Sequence, residues 1–152
     1  MPRVWIADPS EAPHVARLLA AFRSWYGSDW PSDNAFLAGV EGLITEPRST
    51  QYLLGSADDD SPPAGVVQLR FRHSIWTASD DCWIEDVYVA DDARGTGLGR
   101  ALVQFALDHA RERGCGRAEL DVDDVNGPAR GLYESLGFAE KHGGSACMAV
   151  SL

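Results

Sequence analysis

The stretch "ARGTGLGRAL", residues 93–102, decides how this chain is read. Glycines stand at every second position, 95, 97 and 99, and run straight into a helix-forming segment. Glycine at a helix start costs stability relative to alanine, so this much backbone freedom implies that the backbone itself touches something. The run follows a β-rich stretch, "CWIEDVYVA", and opens a helix expected from Leu98 to Arg113. On that helix Leu98, Ala101, Leu102, Phe105, Ala106 and His109 share one face, and Arg100, Gln104, Asp108, Arg111 and Glu112 the opposite one. Strand, glycine loop and helix is the layout of an anion site, because free N–H groups at a helix start point outward and the dipole favours negative charge. A phosphate ligand is the first reading, and a glycine turn needed only for tight packing is the competing one. Two motifs are excluded. No Lys-Ser or Lys-Thr follows the glycines, as a Walker A loop requires, and the third glycine comes one residue too early for the dinucleotide G-x-G-x-x-G.

Upstream, "RVWIA" is a short strand. Asp8, Pro9 and Glu11 then form a capping box ahead of a helix carrying Val15, Leu18, Leu19 and Phe22, expected to end near Gly27. "SDNAFLAGVEGLITE" reads as a second helix stopped before Pro47. "STQYLLGSA", "AGVVQLRFRHSIW" and "CWIEDVYVA" read as successive strands. Downstream, "RAELDVD" alternates apolar and acidic residues as a strand with one wet face. "NGPARGLYESLG" is a short helix, and "FAEKHGGSACMAV" reads as two final strands around Gly143-Gly144. The order β-α-α-β-β-β-α-β-α-β-β carries no linker or repeat. It predicts one α/β domain over residues 1–152, a mixed sheet with helices whose central β-α-β joins parallel strands.

The 152 residues suit one core, and 45% apolar content suits a folded chain. Thirteen Lys plus Arg against 23 Asp plus Glu give a net charge of -10, which argues against nucleic-acid and anionic-membrane partners. The charge suits a cationic small molecule; it also serves simple solubility. Cys82, Cys115 and Cys147 lie far apart without a CxxC, and the four histidines lack HxH or HxxxH spacing, so no metal site is expected. "MPRVWIADPS" has no apolar signal core, and no stretch reaches the roughly 18 apolar residues of a membrane span. The expectation is a cytoplasmic protein.

Two motifs carry a family resemblance. Arg94, Gly97 and Gly99 fit R-x-x-G-x-G directly after "WIEDVYV". Asn126, Ala129, Leu132, Tyr133, Gly137 and Phe138 fit N-x-x-A-x-x-L-Y-x-x-x-G-F. Together with the element order, which covers nearly the full chain, they resemble the GCN5-related N-acetyltransferase (GNAT) superfamily. "IEDVYV" and "RGTGLG" lean towards the branch resembling diamine and polyamine acetyltransferases.

The resemblance implies acetyl-CoA as cofactor and, among look-alikes, a homodimer. Backbone amides of Gly95, Thr96, Gly97, Leu98, Gly99 and Arg100 would take the pyrophosphate, with Arg94 and Arg100 adding local positive charge. The pantetheine amides would pair as an extra strand with Val87 and Val89, which requires that the central parallel pair splay apart. The amide of Val87 or Tyr88 would polarise the thioester carbonyl. Glu85 would accept the acceptor's proton, directly or through water. Asp86 faces the other side of a regular strand unless a bulge turns it, and it counts as an acceptor-binding residue. Tyr133 matches the family's leaving-group acid, and Asn126 either bonds pantetheine or caps its helix. Trp25, Tyr26 and Trp30 cluster between the first two helices, where aromatic faces can hold a cation. Asp33, Glu41, Asp80 and Asp81 are further carboxylates for such a cleft. The leading reading is transfer of acetyl to a small, cationic primary amine by direct attack. A non-catalytic acyl-CoA sensor on the same fold, and an acetyltransferase for protein or peptide amines, are the alternatives.

Overall fold

A computed structural model describes residues 1–141 and 148–152. The chain forms two compact units, Met1–Asp121 and Val122–Leu152.

The first unit holds strand β1 (Arg3–Ile6), helices α1 (Ala12–Trp25) and α2 (Asp33–Ile44), strands β2 (Thr50–Ser56), β3 (Gly65–Ser74) and β4 (Ser79–Val89), helix α3 (Leu98–Glu112) and strand β5 (Arg117–Glu119). Asp8 closes the expected capping box with Glu11, through one 3-10 turn that leads into α1. The five strands lie in sequence order; β1 to β4 pair antiparallel, and β5 joins β4 in parallel.

Alternation in the strands sorts side chains onto two faces. Tyr52, Leu54, Val66 and Tyr88 pack with Val15, Leu18 and Leu19 of α1 and with Val40 and Ile44 of α2 in one core cluster. The opposite face packs against α3, where Leu98, Leu102, Val103 and Ala106 are buried. Gly55 and Gly65 permit this approach: a Cβ on either would come within 2.7 Å of Leu98 or Leu102.

Two expectations are corrected in extent. "RAELDVD" is paired only over Arg117–Glu119, since β5 meets β4 at Asp81, Cys82 and Trp83 and no further. The two final strands fall partly on residues 142–147, which lie outside the described residues; the described residues on either side of them carry no strand. In the second unit, helix α4 (Gly127–Ser135) follows its N-cap Asn126, has Pro128 in its first turn, and is followed by Gly137 at φ +96°.

Candidate active site

The loop between β4 and α3 turns on two left-handed glycines, Gly95 at φ +77° and Gly97 at φ +85°. A side chain there would be strained, which is why glycine occupies both. Gly95, Thr96 and Gly97 are exposed. Gly97 is the N-cap of α3, and the first intrahelical bond runs from Ala101 N–H to its carbonyl at 3.0 Å. The amides just ahead of that bond are those a helix leaves without an internal acceptor. The side chains around them serve the fold. Leu98 is core, and Thr96 Oγ1 donates to the Ala93 carbonyl at 2.6 Å. Arg94 donates to the Val89 carbonyl at 3.1 Å and pairs with Asp91 at 2.9 Å. The charge expected of Arg94 at the loop is thus already engaged in tying the loop to the end of β4.

The end of β4 is the second component. Among the described residues, β4 has no strand partner beyond Trp83 on its β5 side, so its last half presents an open edge. Ala90 N–H donates to the Ala64 carbonyl at 2.8 Å on the β3 side. Peptide groups alternate along a strand, so those of Val89 and Val87 turn to the open edge, in accord with Arg94 reaching the Val89 carbonyl from there. Tyr88's amide turns towards β3; of the two amides expected to polarise a thioester, Val87's is the one on the open edge.

The register also contains a bulge. Val66 pairs with Tyr88 and Gln68 with Glu85, so two residues of β4, Asp86 and Val87, oppose Val67 alone. Asp86 sits at φ +56°, a left-handed conformation that Asp tolerates better than most side chains. A regular strand would face Asp86 away from Glu85; the bulge breaks that alternation at Asp86. Its charge and that of Glu85 both act on the hydroxyl of Tyr52, and Arg70 acts on both Tyr52 and Asp86.

These groups form a polar patch on the face that otherwise packs α1 and α2. Tyr52, Gln68 and Glu85 stand opposite one another across β2, β3 and β4, and Thr50, Arg70 and Trp83 form the next row. With its amide oxygen turned to the guanidinium, the buried Gln68 accepts from Arg70 Nε at 2.6 Å and Nη2 at 2.7 Å. Arg70 Nε also faces Glu85 Oε2 at 3.4 Å. Solvent reaches Asp86, yet protein crowds it: lost hydration first and the Glu85 charge second push its carboxyl above the ordinary range, while Arg70 pulls the other way. Burial pushes the Tyr52 phenol up to about 12, so it keeps its proton at neutral pH. Gln68 and Arg70 were missed in the sequence. The available signal was their position as polar residues, two apart, on the strand face that begins with the apolar Val66.

The aromatic cluster reaches this patch through Phe22, whose ring stacks on Tyr88 at 5.2 Å between centroids. Tyr26 and Trp25 pack on Phe22 at 5.0 and 6.2 Å, and the Arg94 guanidinium lies 5.5 Å from the Trp25 ring. Trp25 and Tyr26 remain half exposed. Trp30 stands outside the cluster: it is 78% exposed, makes no ring contact among the described residues, and has its backbone tied to Ser28. Asp33 pairs with Arg23 at 2.8 Å and Asp81 is buried against Arg117 at 2.8 Å, so both serve structural ion pairs.

In the second unit, Asn126 Oδ1 accepts from Ala129 N–H at 3.3 Å and so acts as the helix cap. Tyr133 is buried and meets Phe138 edge-on at 5.9 Å, with Phe138 N–H bonded to the Tyr133 carbonyl at 3.0 Å. No helix among the described residues is long and apolar enough to cross a membrane.

Residues 15–138 match the Acetyltransferase (GNAT) family, so the chain belongs to the GNAT acetyltransferases, whose acetyl donor is acetyl-CoA. It is 36% identical over 129 residues to streptothricin acetyltransferase of Streptomyces lavendulae, across 85% of this chain and 61% of that protein. It is 26% identical to aminoglycoside N(6')-acetyltransferase type 1 of Serratia marcescens, across 73% of this chain and 78% of that protein. A 60-residue segment is 50% identical to mycothiol acetyltransferase of Corynebacterium jeikeium, 38% of this chain but 17% of that longer protein. The chain thus spans less than two thirds of these streptothricin and mycothiol relatives. Among solved structures, one described as a probable acetyltransferase superposes with a TM-score of 0.88 at 25% identity over 98% of both chains.

Proposed function

We propose that this chain is an acetyl-CoA-dependent N-acetyltransferase that acts on the primary amine of a small, cationic acceptor. One observation carries the reading. A single unit combines a helix opened by left-handed glycines with a strand edge open among the described residues, and the bulge on that strand sets the Asp86 carboxylate directly beside that of Glu85.

These features fit the donor's chemistry. Backbone amides at the start of α3 offer donors to a pyrophosphate without side chains, on a loop where no Cβ stands at Gly95 or Gly97. Val87 offers both peptide groups and Val89 its N–H to the amides of a pantetheine arm. When bound, acetyl-CoA supplies an acetyl group activated as a thioester. The protein's part is to orient the donor, polarise a carbonyl, and manage two protons. Val87 N–H is the donor for developing negative charge at the carbonyl oxygen. The Glu85–Asp86 pair receives the acceptor ammonium and takes its proton. Tyr133, carried by the N-x-x-A-x-x-L-Y-x-x-x-G-F motif, is the proposed donor to the departing sulfur. Trp25 and Tyr26 offer aromatic faces to the cation.

Names of relatives support the acceptor class: streptothricin and aminoglycosides are the acceptors in the names of two of them. The test is release of free thiol from acetyl-CoA with a panel of diamines, polyamines, aminoglycosides, streptothricin, amino-acid amides and peptides. Turnover with small cationic amines is the expected result. Acetyl-CoA binding without thiol release from any of them would leave a sensor, and turnover with peptides alone would replace the acceptor class.

A further inference from the structure

Resting on the acetyltransferase reading, we propose that Asp86 takes the proton from the acceptor ammonium, and that Arg70, held by Gln68, fixes Glu85 as a charge-paired wall of the site. The two carboxylates adjoin in sequence, but the structure gives them different surroundings. Glu85 faces the Arg70 guanidinium, which the buried Gln68 holds through two hydrogen bonds. The Asp86 carboxylate accepts no hydrogen bond and joins no ion pair among the described residues. It occupies the bulge in a left-handed conformation, a cost retained where a side chain has to be re-aimed. It also directly precedes Val87, whose amide faces the open edge on which the donor would lie. A general base has to be unengaged and within reach of its proton, and of the two only Asp86 is unengaged.

The groups around Asp86 set its proton affinity. Lost hydration raises it most, Glu85 on β4 raises it further and Arg70 on β3 lowers it; Tyr52 on β2 stays neutral, and α1 brings Tyr26 through Phe22 to neighbouring Tyr88. In the step, an N–H bond of the ammonium breaks and an O–H bond forms on the Asp86 carboxylate. The electron pair left on nitrogen forms the C–N bond as the C–S bond breaks with its pair on sulfur, and a second N–H bond of the now cationic nitrogen breaks with its proton going to solvent, so nitrogen loses two protons, sulfur gains one and one is released overall. Sulfur takes a proton from Tyr133, the proton on Asp86 passes to solvent, and solvent reprotonates Tyr133.

The test is the pH dependence of kcat at saturating donor and acceptor, with two acceptors whose amines differ in pKa. A limb shared by both acceptors belongs to the enzyme. D86N is expected to abolish that limb and to lower kcat roughly 10²- to 10⁴-fold. Asn also accepts the left-handed conformation, so the bulge survives; D86G, which keeps the bulge without any functional group, is expected to behave alike, with circular dichroism reporting the fold. E85Q is expected to keep the limb and move it to lower pH, because a neighbouring negative charge is gone. R70Q is expected to move it to higher pH, and R70K to restore its position. Retention of the limb in folded D86N, or its loss in E85Q, overturns the assignment while the acetyltransferase reading stands. Absence of wild-type turnover with acetyl-CoA bound overturns both.

Discussion

Replacing Gly97 by valine separates the two uses of the glycine loop. At φ +85° a valine is strained, and the left-handed conformation costs an L-residue roughly 1–2 kcal/mol. Steric conflict adds little, since the nearest atom to a Cβ at this position is Pro2 Cγ at 3.9 Å. For a chain of this size each kcal/mol moves the melting temperature by about 2–4 °C, so Gly97→Val should melt about 2–8 °C lower and still fold. Binding should suffer more. The valine covers the amides offered to the pyrophosphate, and each hydrogen bond to a charged group is worth about 1.5–3 kcal/mol. Loss of one such bond weakens affinity roughly 10- to 100-fold at about 1.4 kcal/mol per decade. The assay is calorimetric titration of acetyl-CoA into the folded variant. Gly114→Val is the control: at φ +80°, with nothing within 4 Å of its Cβ and at the far end of α3 from the loop, it carries the same backbone strain and should lower the melting temperature without touching acetyl-CoA affinity. Unchanged acetyl-CoA affinity in folded Gly97→Val refutes the placement of the phosphates.

Tyr133→Phe keeps the ring against Phe138 and should lower kcat roughly 10²- to 10⁴-fold with little change in acetyl-CoA affinity; steady-state kinetics beside calorimetry check this, and a fall of less than about threefold with chemistry rate-limiting would remove its role as acid. Asp86→Asn should raise the melting temperature at pH 7. The fold lifts the Asp86 carboxyl above its ordinary value, so its contribution to stability is full below the unfolded pKa and is lost as pH rises through the folded one. The advantage of the variant should therefore vanish in melts below about pH 3.9, where the wild-type carboxyl is protonated in both states. If the net charge of -10 steers a cationic acceptor, kcat/KM should fall as salt rises, since a Debye length of roughly 8 Å at physiological ionic strength screens exposed charge; a flat profile removes steering.

What the sequence determined by itself was local. Asp8 and Glu11 lie three residues apart, so the capping box is written within one turn of chain, and the apolar stripes of α1 and α3 follow from helical spacing alone. The alternate glycines before Leu98 announced a loop whose backbone must be approached, and their left-handed angles answer to a conformational need that no other residue meets as cheaply. Tertiary structure decided what depends on strand register. Whether Asp86 shares surroundings with Glu85 rests on one extra residue in β4 against Val67, and no property of "WIEDVYV" by itself sets that count. A slip of one residue exchanges the two faces of a strand, so register comes from all the side chains packed on both sides of the sheet. The same holds for Arg70, which stands beside Glu85 only because β3 and β4 pair as they do, and for Trp25 and Tyr26, which reach β4 through a Phe22–Tyr88 stack bridging residues far apart in the chain. Trp30, a few residues beyond Tyr26, has no such bridge among the described residues and faces solvent. Residue types and helical spacing carry the elements and the donor loop; contacts across the sheet carry the arrangement of charges on which the proposed chemistry depends.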